Sequence, residues 1–217
     1  MRDGKRTAAQ SEKGIALVAA LMTVTLLAAL AGGLVLNAIT DMKIAAMHRD
    51  GLQALYAVEA VTELLLAEFA AVANIDDALA GVAQSSFLDG GRGQRQVGPL
   101  TIDLTAQTNV ERCGNASGCG VAPAANIAWW QLYAHGWLHE TTGSRVRPPV
   151  YLIAWIGDDP GENDADPLAD GQPGINPGHG IVALRVHAYG AAGAVRRVNV
   201  LVGGLPDRPR LLSWREG

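Results

Sequence analysis

Gly14-Ile15-Ala16-Leu17-Val18-Ala19-Ala20-Leu21 opens a run of 27 residues, ending at Thr40, that holds no ionisable side chain. At 1.5 Å per residue, a helix of that length crosses the roughly 30 Å hydrocarbon core of a bilayer with some length to spare. The run is a membrane segment or a signal sequence. Its flanks set a direction: residues 1–13 carry Arg2, Lys5, Arg6 and Lys13 against Asp3 and Glu12, whereas residues 41–217 carry 13 basic and 19 acidic groups. A basic leader stays on the cytoplasmic side, so the acidic remainder is expected outside it.

Small residues at Ala29-Leu30-Ala31 would allow a signal peptidase to cut after Ala31. Two features oppose that cut. The apolar run continues through Leu34, Val35, Leu36 and Ile39, and helical spacing persists beyond the membrane at Ile44, Met47, Gly51, Leu55, Val58, Thr62, Leu65, Phe69 and Val72. One helix from about Gly14 to about Val72 would be on the order of 90 Å long. A plain single-pass anchor would show the same hydropathy.

The whole chain has 217 residues, 49% hydrophobic and 18% charged, which suits a folded core and excludes general disorder. Its net charge of -4 excludes a generally basic nucleic-acid binder, so no nucleic-acid partner is expected. All ten prolines lie at Pro99 or later. A long helix first and a turn-rich domain second follow from that asymmetry.

Glu12-Lys13-Gly14 followed directly by Ile15-Ala16-Leu17-Val18 resembles the class III signal of type IV pilins, in which a prepilin peptidase cuts after the glycine. Gly suits that place because it leaves the scissile carbonyl unhindered. Most major pilins have a glutamate five residues into the mature chain, and here Ala19 stands there. Its absence, together with Tyr56-Ala57-Val58-Glu59-Ala60, resembles PilX-type minor pilins and, more distantly, the K-type pseudopilins. The C-terminal Arg185–Gly190 and Gly193–Val198 loosely resemble the family's final hairpin.

The resemblance implies an α+β, pilin-like fold: residues 1–14 as leader, 15–40 as transmembrane half-helix, 41–74 as amphipathic half-helix, and 75–217 as an extracytoplasmic β-rich domain. It also implies an inner-membrane protein with a cytoplasmic N-terminus and a periplasmic C-terminal domain, found at the pilus tip after assembly. The implied partners are prepilin peptidase, other minor pilins and the major pilin. In a bundle of such helices, an unpaired charge is costly. A subunit with Ala19 offers no carboxylate to the amino terminus of a neighbour above it, which implies a tip or initiating position.

Beyond the helix, residues 89–98 read as loop, while Leu100, Ile102 and Leu104 alternate as in a half-buried strand. Val150–Ile156 reads as a central strand, and Ile181–Tyr189 with Val195–Val202 as a β-hairpin around Gly190–Gly193. About four antiparallel strands are expected against the helix. Cys113 and Cys119 fit an oxidising compartment and could close a short loop, the alternative being two free thiols.

Three groups are candidate sites. Trp129, Trp130, Tyr133 and Trp137 have spacings that would stack three aromatics on one helical face, as core first and binding surface second. His135 and His139 would form a metal pair only on a helix, and they lack the glutamate of zinc peptidases. Asp158, Asp159, Glu162, Asn163, Asp164, Asp166 and Asp170 occur with no Lys or Arg between Arg147 and Arg185. That segment is a solvated acidic loop or a Ca²⁺ site of irregular form, for an EF-hand spacing fails. No other cofactor is called for. The chain shows no Ser-His-Asp order, nucleophile elbow or phosphate-cradling motif, and no enzyme is expected.

Overall fold

The structure, a computed structural model, describes residues 4–121, 127–138, 150–162, 166–171, 178–205 and 207–217, with side chains from residue 14 onward. The chain divides into two units, Met1–His48 and Arg49–Gly217, and helix α1 (Gly4–Phe69) runs through both. It begins ten residues earlier than expected and ends at Phe69, not Val72. Its last turn tightens through Ala71 N–H to Glu68 C=O at 2.9 Å and Val72 N–H to Phe69 C=O at 3.3 Å.

In the first unit, every side chain from Gly14 to His48 is exposed. The helix from Gly14 is long and apolar enough to cross a membrane, with a mean hydropathy of 2.4 over its best 18-residue window. Its hydroxyls make no demand on their surroundings: Thr23 Oγ1 donates to Ala19 C=O at 2.8 Å, Thr25 to Met22 and Thr40 to Leu36 at 2.9 Å. A polar group satisfied on its own helix is what lipid tolerates.

The second unit is α+β. The later turns of α1 bury Ala54, Ala57, Val58, Val61, Thr62, Leu65 and Phe69, a helical stripe of threes, ones and fours. The stripe starts at Asp50 and Gly51. Ile44 and Met47, expected to belong to it, are 60% and 69% exposed and lie in the other unit.

Short helix α2 (Asp76–Leu79) follows α1, and then β1 (Gln94–Val97) and β2 (Leu100–Asp103) form a hairpin. Residues 94–97 were expected as loop, but Arg95 binds Asp89 and orders them. Leu104, expected to end a strand, instead opens helix α3 (Leu104–Cys113), because Asp103 caps it by accepting Ala106 N–H at 2.9 Å.

The main sheet has five antiparallel strands in the order β3 (Gln131–Trp137), β4 (Tyr151–Asp158), β5 (Ile181–Tyr189), β6 (Val195–Gly203) and β7 (Arg210–Glu216). The four strands expected at Leu100–Leu104, Val150–Ile156, Ile181–Tyr189 and Val195–Val202 are present as β2, β4, β5 and β6, while β1, β3 and β7 were not expected. β4 is buried along its whole length, because both sheet faces are covered. On one face Leu152, Ala154, Leu184, Val186, Val198 and Val200 share a core with the α1 stripe. On the other, Ile153, Trp155 and Ala183 share a second core with Val97, Ile102 and Leu104 from the hairpin and α3.

The helical reading of residues 129–137 is overturned. Gln131–Trp137 pairs with β4, and a register shift makes Tyr133 an extra residue that packs on Phe69 with ring centroids 5.4 Å apart. A short apolar run buried on both faces has no alternation to distinguish it from helix. The free side of β3 is closed by residues 85–89, through Ser85 N–H to Tyr133 C=O and His135 N–H to Phe87 C=O at 3.0 and 2.9 Å.

The β5–β6 turn is anchored to α1 by Asp50, whose Oδ2 accepts Ala194 N–H at 3.2 Å. Gly190 makes room for that carboxylate, since a Cβ there would come within 2.6 Å of it.

Leu65→Ala should destabilise the protein by about 2–5 kcal/mol, while Tyr56→Ala, at a side chain 64% exposed, should change stability by about 0.5 kcal/mol or less. Denaturant titration of the full-length protein in detergent, read by tryptophan fluorescence, measures both. Equal effects would contradict the assignment of the inward face of α1.

Candidate functional site

Gly14, Ile15 and Ala19 lie within the first unit on uninterrupted α1. Ile15 is 68% exposed, and a Cβ on Gly14 would meet nothing within 4 Å. No side chain from residue 14 to residue 40 is ionisable, so no carboxylate stands at Ala19 or anywhere else in the apolar run.

The segment Tyr56-Ala57-Val58-Glu59-Ala60 lies in the second unit and splits by face. Ala57 and Val58 pack in the core, whereas Tyr56, Glu59 and Ala60 are exposed. The small Ala57 allows the sheet close to the helix. Glu59 lines an open groove of about 410 Å³ with Thr62, Glu63, Leu211 and Trp214.

Cys113 and Cys119 are joined in a disulfide with Cα atoms 5.9 Å apart. The bridge closes the turn after α3, where Gly114 ends the helix at φ 74°. Of the four aromatics, Trp129 and Trp130 are 8% exposed, Tyr133 is 2% exposed and Trp137 is half-buried. They are chiefly packing residues, although Trp130 also borders an open trough on the sheet. His135 sits on β3, which removes the helical premise for pairing it with His139, a residue outside those described.

The acidic residues are not equivalent. Asp158, Glu162 and Asp170 bring one carboxylate oxygen each within 4.8 Å of one another. Asp158 and Glu162 are buried and Asp170 is half-buried. Asp170 holds the chain before β5, accepting His179 N–H at 3.2 Å and Gly180 N–H at 3.0 Å. Burial raises its pKa, against the pull of those donors. Asp159 stands apart, accepting Gly161 N–H at 2.9 Å with its other oxygen 3.8 Å from His179 Nδ1. Asp166 accepts Leu168 N–H in a local turn, and Asp164 lies outside the described residues.

Two further ionic clusters were not evident in the sequence. Asp89 Oδ1 is 2.7 Å from His135 Nδ1 and 2.9 Å from Arg95, and Tyr151 Oη donates to it at 3.3 Å. Burial alone would raise the Asp89 pKa, but the hydrogen bonds from Arg95 and His135 hold it below the usual carboxylate value. The other cluster lies under α3, where Arg185 Nη1 donates to Glu111 at 2.5 Å and His187 Nε2 sits 3.8 Å from the same carboxylate. Asp89 and His135, or Glu111 and Arg185, are 46 and 74 residues apart, and no local spacing signals such pairs.

Among the described residues, these clusters do not combine a nucleophile with a base and an open substrate position. The buried charges connect the hairpin, α3 and the sheet. Compared with protein-family models, with curated proteins and with solved structures, the chain finds no match.

Burial pushes the His187 pKa down to about 4 from 6.5; Glu111 opposes the shift, and Arg197 and Arg185 add to it. The folded state therefore binds fewer protons than the unfolded state between those values, and stability present above pH 6.5 is lost as pH falls towards 4. His135 is shifted in the same direction by burial. The denaturation midpoint should decline across that window, less steeply in His187→Gln. Identical slopes in both proteins would show that His187 does not contribute.

Proposed function

We propose that the chain is a minor pilin or pseudopilin-like subunit that primes or caps a type IV pilus-like filament. The observation that carries this reading is α1: one unbroken helix contains the charge-free apolar run and also supplies the core stripe of an α+β unit. A separate anchor or a cleaved signal does not need to share its helix with a folded core. The Gly14-Ile15 junction at the start of the run and the Tyr56-Ala57-Val58-Glu59-Ala60 segment support the same reading by resemblance.

In this account the first half of α1 stores the subunit in the inner membrane, with the second unit on the periplasmic side. Prepilin peptidase cuts between Gly14 and Ile15. Ala19 leaves the subunit without a carboxylate for a neighbour above, while its own Ile15 amine can meet a glutamate below. That asymmetry favours the end of a filament over its repeating interior. Other minor pilins and the major pilin are the partners.

Mass spectrometry of the membrane-extracted protein should find a chain that starts at Ile15, and Gly14→Lys should leave it uncut. An intact Met1 in the wild type, or a start at Gly32, would overturn the reading. Deletion then separates priming from adhesion: loss of filaments is expected, whereas normal filaments with poor attachment would make the subunit an adhesin.

A further inference from the structure

The sheet face that carries α3 is not fully covered, and its exposed part is a trough of about 420 Å³. Strand register defines its floor. Arg185 on β5 lies opposite Asn199 on β6, which lies opposite Arg215 on β7; the adjoining row is Ala183, Leu201 and Ser213. Neighbouring strands are about 4.8 Å apart, so each row extends about 10 Å across the sheet. Trp130 and Pro160 form the end wall. Trp130 can lie there because β4 has Gly157 beneath it, where a Cβ would approach the indole to 3.2 Å.

The polar row is built to donate. Arg185 stacks over Trp130 with Cζ 4.3 Å from the ring centroid, and its Nη1 is held by Glu111. Its Nε donates to Asn199 Oδ1 at 2.9 Å. The Asn199 oxygen is thus used internally, leaving the Nδ2 group as donor. Arg215 is exposed, and among the described residues it has no carboxylate partner. Glu111, the acid bordering this row on the α3 side, is engaged by Arg185. The trough therefore presents oriented N–H donors and a free guanidinium beside an apolar strip.

We propose that this trough binds an acidic side chain of a partner protein, with the carboxylate on the Arg185–Asn199–Arg215 row and a flanking apolar side chain on Ala183 and Leu201. A guanidinium and a carboxamide donor match a carboxylate in both charge and geometry. The choice of a polypeptide over a small acid rests on shape. Small-molecule sites bury most of their ligand, whereas this trough is open where Ser213 and Arg215 are exposed. A peptide makes up the difference with contacts on either side.

A bound strand is a less suitable occupant at this edge. β7 departs from regular pairing at Leu212, which is the extra residue between the Val202–Leu211 and Leu201–Ser213 pairs. Such a bulge on an arginine-bearing edge opposes strand addition. Contact through side chains in the trough avoids that obstacle. The inference goes beyond filament assembly, since an uncut chain would retain the trough.

The test uses full-length protein in detergent micelles, with tryptophan indoles labelled with ¹⁵N and the Trp130 signal assigned through Trp130→Phe. The probe is the peptide acetyl-Ala-Leu-Glu-Leu-Ala-amide, compared with its Gln analogue and with 4-methylpentanoate. The Glu peptide should shift the Trp130 signal saturably with a Kd on the order of 1 mM, at least about tenfold tighter than the other two. Arg215→Ala should weaken it by about tenfold or more while leaving the other indole signals in place. Equal binding of the Glu and Gln peptides, no effect of Arg215→Ala, or no binding at about 20 mM would overturn the proposal. Equally tight binding of 4-methylpentanoate would overturn the choice of a protein partner.

Discussion

Burial of one face of α1 against the sheet is the constraint on which the second unit depends. Val58, Val61, Leu65 and Phe69 cover Leu152, Leu184, Val186 and Val200 in one continuous core. Those side chains bring together residues more than 80 positions apart, and each fully buried one contributes roughly 1.5–3 kcal/mol. The sheet cannot leave that face open, because it carries almost no polar group. Asp50 marks where this contact begins, using its carboxylate to hold the β5–β6 turn.

The opposite sheet face is organised by charge and indole as much as by apolar packing. Trp155 Nε1 donates to Thr108 on α3 at 3.0 Å, while Arg112 donates to Trp130 C=O at 2.8 Å. Arg185 then satisfies Glu111 and stacks on Trp130. Buried ionic groups of this type stabilise only when every member is paired, and their chief effect is to select one arrangement of elements. Here they fix α3 at one side and leave the β6–β7 side uncovered. The trough is a consequence of that asymmetry.

Legibility in the sequence followed the range of the interactions. The charge-free run from Gly14 to Thr40 and the three-four spacing of Val58, Thr62, Leu65 and Phe69 are local signals, and the corresponding helix is present. The β5–β6 hairpin was equally visible, since Gly190–Gly193 separates two apolar runs. Tyr133 and Trp137 misled because helical spacing of aromatics also occurs on a bulged strand buried on both faces. β7 was missed because its edge position leaves Arg210, Leu211 and Arg215 exposed, without an alternating pattern. Among the acidic residues, composition showed the cluster, but only tertiary folding selects Asp158, Glu162 and Asp170 from it. The pairs Asp89–His135 and Glu111–Arg185 have no local signature at all.

The central claim is that one helix changes role along its length, from a segment suited to lipid to the core stripe of a folded unit. Nitroxide labels placed singly from Leu17 to Phe69 in the bilayer-reconstituted protein test it most directly, through collision with oxygen and with a water-soluble nickel chelate. Labels from Leu17 to Ile39 should all be oxygen-accessible and shielded from nickel. From Leu52 onward, accessibility should oscillate with a period near 3.6 residues, with Val58 and Leu65 protected from both reagents and Tyr56 and Glu59 open to nickel. Nickel access throughout Leu17–Ile39, or no oscillation after Leu52, would contradict the account.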